Sequence, residues 1–135
     1  GEAARSAHNL HVWRGGDYLG LGPGAHGRLT LDGARTATVA HRGIGPYIAG
    51  VAAGAPWSER EAQSPRDAAE EKVLLGLRTV EGAALADLAT LGRAVETQPM
   101  AGLIADGFLD VDAGRIRATP AGRPVLDGVL RALLV

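Results

Sequence analysis

The 135-residue sequence contains no cysteine. Disulfides, thiolate ligands for zinc or an iron–sulfur cluster, and a cysteine nucleophile are therefore excluded from these residues. Aromatic side chains are scarce at 4%, and beyond Trp57 only Phe108 remains. Lys72 is the single lysine among 14 basic residues, which 15 acidic residues offset to a net charge of −1. A balance this even leaves no electrostatic footprint for nucleic acid or anionic lipid. No apolar run approaches the ~18 residues that span a bilayer, and the opening "GEAAR" has neither an initiator Met nor a signal-peptide core. The expectation is a cytoplasmic globular polypeptide with no membrane span and no nucleic-acid partner.

What the sequence has in excess is glycine, and the densest stretch is "HNLHVWRGGDYLGLGPGAHG", residues 8–27. "NLHVW" alternates as a short strand would, with Leu10 and Val12 on one face, and "DYLGLG" reads as a second. "GRLTL-DG-ARTATV" predicts a hairpin, because Asp32-Gly33 supplies φ > 0 at both centres of a type I′ turn. "PYIAGVAAG" predicts a short helix stopping near Gly54. The polar "GAPWSEREAQSP", residues 54–65, reads as a linker, dividing residues 1–57 from 58–135.

Ser64-Pro65-Arg66-Asp67 then combines a capping hydroxyl, Pro at the first helical position and a carboxylate three residues past the cap. The expected helix buries Val73, Leu74, Leu77 and Val80 and ends at Glu81-Gly82. Glu70-Glu71-Lys72 reads as its solvated face. "AALADLATLG" and "QPMAGLIADG" predict two further helices, "FLDVDAGRIRA" a hairpin turning at Asp112-Ala113-Gly114, and Thr119-Pro120 the start of a final helix with an apolar face of Val125, Leu126, Val129, Leu130 and Leu133. Helices, a hairpin and a closing helix follow a winged-helix-like order.

Gly22-Pro23-Gly24-Ala25-His26-Gly27 formally matches G-x-G-x-x-G, yet alternating residues follow it where a dinucleotide site needs a helix N-terminus. Without Gly-Lys-Ser/Thr it is not a P-loop. It reads as a tight backbone corner. His8 and His11 face opposite ways on a strand and so do not form a metal pair, and zinc needs three convergent ligands. A single axial His for heme is less demanding. The expected recognition helix carries Gln98 but no basic residue, which opposes duplex binding. From residues alone the reading is an α+β polypeptide with a glycine-rich, His-bearing corner and a winged-helix-like tail.

The same stretch, followed by "EEKVLLGLRTVEG" and "LIADGFLDVDAGRIRATPAGRPVLDGVLRALL", resembles the HemW branch of radical S-adenosylmethionine proteins. These are the oxygen-independent coproporphyrinogen III oxidase-like proteins regarded as heme chaperones. The resemblance implies that residues 1–57 are the last strands of a partial β/α barrel and residues 58–135 a winged-helix-like C-terminal domain. It also implies that the chain is the C-terminal fragment of a protein whose cysteine motif, holding a [4Fe–4S] cluster, lies in a missing N-terminal barrel. His8 matches the signature His proposed as the heme-iron ligand, and Asn9 and Trp13 match its partners. Val12 stands where the signature has Tyr. Gly24, Ala25 and His26 match a turn near S-adenosylmethionine. The implied cofactors of the longer protein are the cluster, S-adenosylmethionine and heme, the fragment alone carrying no cofactor and no catalytic residue. The implied partners are heme or a porphyrinogen, and apoproteins that accept heme. The alternatives are the C-terminal part of a true coproporphyrinogen III oxidase, which decarboxylates propionates oxidatively, or a winged-helix interaction module.

Overall fold

The computed structural model describes residues 11–135. They form two compact units, one of residues 16–64 and one of residues 65–135 joined by residues 11–15. Each is mixed α/β.

The 16–64 unit is built on an antiparallel sheet in the order β1-β2-β3, with β1 His26–Leu31, β2 Ala34–Ala40 and β3 Trp57–Ala62. The β1–β2 hairpin turns at Asp32 (φ 50°) and Gly33 (φ 79°), as the Asp-Gly pair predicts, and its register runs from Leu31↔Ala34 to His26↔Val39. β2 is central, and Thr36, Thr38 and Ala40, two residues apart, are buried. Neighbouring barrel strands in a β/α fold run parallel, whereas every pairing here is antiparallel. β3 lies inside the segment read as a linker. Its residues past Trp57 are all exposed, and its pairing with β2 carries the unit beyond residue 57 to Ser64. "DYLGLG" contributes only a bridge between Tyr18 and Arg28. Helix α1, Ile44–Ala52, precedes Gly54 with φ +73°. None of its residues is buried, and Ile44, Ile48 and Val51 are 71%, 62% and 52% exposed.

The 65–135 unit begins with α2, Pro65–Gly76, with Pro at its first position and Asp67 in its first turn. There follow β4 Ala83–Ala84, α3 Leu85–Thr90, α4 Met100–Ala105, β5 Leu109–Asp112, β6 Arg115–Ala118 and, after a 3-10 turn, α5 Leu126–Leu134. β4 joins the hairpin to make a sheet in the order β4-β6-β5, with Ala83 opposite Ile116 and Leu109 opposite Ala118. The hairpin turns at Ala113 (φ 50°) and Gly114 (φ 75°).

Val73, Leu77, Leu88, Met100, Leu109, Ile116, Val129, Leu130 and Leu133 form one core across all of these elements. Each such side chain contributes about 1.5–3 kcal/mol by leaving water. Val73 and Leu77 are buried as expected, but Leu74 and Val80 are 37% and 46% exposed. Leu74 lies within α2 on its outer side, while Val80 falls past the helix, which ends at Gly76, short of Glu81. Thr79 stops it, donating its hydroxyl to the Gly76 carbonyl at 2.8 Å and accepting the Gly82 N–H at 3.2 Å. Val125 is likewise exposed, because α5 begins at Leu126 rather than at Thr119-Pro120. Thr119 closes a turn instead, accepting the Gly122 N–H at 3.1 Å. At the far end, Arg93 donates Nε to the Leu133 carbonyl at 2.8 Å and Nη2 to that of Val135 at 3.3 Å, supplying donors that a helix C-terminus lacks. No helix among the described residues is long and apolar enough to cross a membrane.

Candidate functional site

His8 and Asn9, the expected iron ligand and its neighbour, lie outside the described residues. Trp13 lies inside them. Residues 11–13 are helical rather than extended, so facing on a strand does not describe His11. The chain then turns, the Gly15 N–H reaching the Val12 carbonyl at 2.9 Å.

This turn sets a half-buried Trp13 into a cleft of about 180 Å³ in the 65–135 unit. The cleft is lined by Arg14 from the turn, Lys72 from α2, Asp87 from α3 and Arg115 from β6, over backbone at Gly76 and Gly82. Arg14 grips Glu81 through both carboxylate oxygens, Nε to Oε2 at 2.9 Å and Nη2 to Oε1. That hydrogen bond, and then the charge behind it, raises the Arg14 pKa. Arg115 donates Nε to the Glu81 carbonyl at 2.8 Å and Nη2 to the Gly82 carbonyl at 2.7 Å. Those acceptors are neutral and leave its charge unbalanced. Lys72 has neither hydrogen-bond nor ion-pair partner among the described residues. Sequence reasoning took Lys72 for part of a solvated face. Because the four charged residues come from separate elements, no local spacing announces them.

Gly24, Ala25 and His26 belong to the other unit, at the entry to β1. A strand follows the glycines, as their sequence context indicates. Gly22 has φ +96° and Gly24 φ +72°. The Gly22 N–H donates to the Tyr47 hydroxyl at 2.9 Å, the Gly24 N–H to the His41 carbonyl at 2.9 Å, and the Ala25 N–H to the Gly22 carbonyl at 3.3 Å. The Ala25 carbonyl accepts from Ala40 at 2.8 Å. These backbone groups are thus engaged within the unit, and the His26 side of the turn is exposed. Close approach explains the neighbouring Gly27, where a Cβ would lie 2.6 Å from the Thr38 hydroxyl and 3.0 Å from the Tyr18 carbonyl oxygen.

No three His, Asp or Glu side chains among the described residues converge to hold a metal ion. With no cysteine present, these 135 residues do not fit an iron–sulfur cluster.

Comparison with known proteins agrees with the residues quoted above. Residues 63–125 match the HemN C-terminal domain family. The chain is 36% identical over 129 residues to the heme chaperone HemW of Mycobacterium tuberculosis, covering 94% of this chain and 31% of that protein. The chain is HemW-like. It is also 27% identical over 156 residues to a Dictyostelium discoideum protein named radical S-adenosyl methionine domain-containing protein 1, mitochondrial, covering 96% of this chain and 34% of that one. In fold, the HemW-like chain is similar to the solved coproporphyrinogen III oxidase HemN of Escherichia coli, described as a radical SAM enzyme. The TM-score is 0.56 at 19% identity, over 89% of this chain and 29% of that chain. The chain therefore spans about a third of the length of the relatives it matches.

Proposed function

We propose that the chain is the C-terminal part of a radical S-adenosylmethionine protein that binds heme and passes it to an apoprotein. The observation carrying this reading is the 36% identity to a heme chaperone across 94% of the chain. His8 is the proposed iron ligand, with Asn9 and Trp13 as its partner residues, and a heme held there would supply an iron whose ligand can be exchanged during transfer. The [4Fe–4S] cluster and S-adenosylmethionine belong in this reading to the longer protein, which works in the cytoplasm. The turn at Gly24, Ala25 and His26 faces S-adenosylmethionine through apolar contact and the exposed His26, since the backbone groups described above are engaged. The antiparallel sheet lies in the barrel-associated part, and α2 to α5 with the β5–β6 hairpin are a winged-helix-like module.

Titrating hemin into the full-length protein tests the reading. The expected result is a Soret shift that His8→Ala abolishes. A Soret spectrum unaffected by His8→Ala would end the ligand assignment, and radical-dependent decarboxylation of coproporphyrinogen would favour the oxidase alternative.

A further inference from the structure

The cleft beside Trp13 is small, cationic and incompletely partnered. At about 180 Å³ it falls below the roughly 300 Å³ at which pockets begin to enclose a whole ligand. It suits an appendage instead. Its lining carries Arg14, Lys72 and Arg115 against one carboxylate, Asp87. Arg14 is committed to Glu81, Arg115 is held by neutral carbonyls, and Lys72 is uncommitted among the described residues. The arrangement positions the Arg115 guanidinium before any ligand arrives, so little ordering entropy remains to be lost there. The Lys72 stem passes close over Gly15, its Cγ lying 3.1 Å from where a Cβ there would stand.

We propose that this cleft receives a carboxylate of a tetrapyrrole, one propionate arm, with Lys72 as the primary contact, Arg115 as the second charge and the Trp13 indole beside the macrocycle edge. The identity of the ligand rests on the heme reading above.

The test is binding to the full-length protein, with hemin and its dimethyl ester read by Soret absorbance and metal-free protoporphyrin and its ester read by fluorescence. Lys72→Gln is expected to weaken hemin about tenfold, the scale of one lost charge-assisted hydrogen bond, and to leave the ester unchanged. Lys72→Arg should restore most of the difference. Circular dichroism on both variants establishes that each is folded. If hemin binds Lys72→Gln as it binds the wild type, the cleft proposal is overturned and the heme reading stands. If hemin gives no Soret shift but protoporphyrin binds in an ester- and Lys72-sensitive way, the iron ligand is overturned and the cleft is supported. Binding of neither overturns both.

Discussion

Gly82 and Gly107 have almost the same backbone conformation, φ +74° and φ +80°, and opposite surroundings. A Cβ on Gly107 would meet nothing within 4 Å, while one on Gly82 would lie 2.0 Å from the Ile116 carbonyl oxygen and 2.6 Å from the Arg117 Cγ. Substitution by Ala at Gly107 should therefore cost only the left-handed penalty, about 1–2 kcal/mol. At Gly82 the clash falls where α2's exit crosses the sheet, so Ala there should cost upwards of about 3 kcal/mol. Denaturant unfolding of the two variants checks this, and equal losses would mean that the Gly82 crossing relaxes freely. The cleft belongs to the same scale, since the Gly82 carbonyl that Arg115 holds is fixed by this crossing. Damage at Gly82 should disturb Arg115 as well.

At the scale of elements, the two hairpins and the start of α2 were legible because their signals are local. Asp32-Gly33 and Ala113-Gly114 state their turns, and Ser64-Pro65 states the beginning of α2. What was not legible depends on partners distant in sequence. β3 has only a half-buried Trp57 and five exposed residues, so no apolar alternation marks it, and only pairing with β2 makes it a strand. α2 stops early because the Thr79 hydroxyl closes a turn, a competition that a helical apolar spacing does not register. The cleft was invisible for the same reason, its cations being gathered from a turn, a helix and a strand. α1 shows the reverse: its helix was expected, but its exposure was not. Replacing Ile44 and Ile48, 71% and 62% exposed, by Gln should change stability by no more than about 0.5 kcal/mol each. The same changes should lower the binding of an apolar dye. A loss of several kcal/mol in thermal unfolding would place those side chains in a core.

Across the whole molecule, the two units are stabilised by different amounts of buried apolar surface. In the 16–64 unit the buried residues of β2 include Thr36, Thr38 and Arg35, with Ala40 the small apolar member, while Leu19, Leu21 and Ile44 are exposed. Its order therefore depends on the ladder and on polar ties such as Asp17, which accepts from the Thr30 N–H and the Thr30 hydroxyl, each at 2.8 Å. The 65–135 unit instead buries Val73, Leu77, Leu88, Ile116 and Leu133 with essentially no exposure. Opening free energies follow such local packing, and each 1.4 kcal/mol between two regions is a tenfold difference in exchange. One large core side chain contributes about 1.5–3 kcal/mol, so several should separate the units by at least about a hundredfold. Native-state hydrogen exchange should find the amides of Leu77 and Leu133 protected by that margin over those of Thr38 and Ala40. Equal protection in the two sets would mean that the sheet of residues 16–64 opens only when the helical core does. The polar ladder would then have to hold as firmly as the leucine core, against the burial that each unit displays.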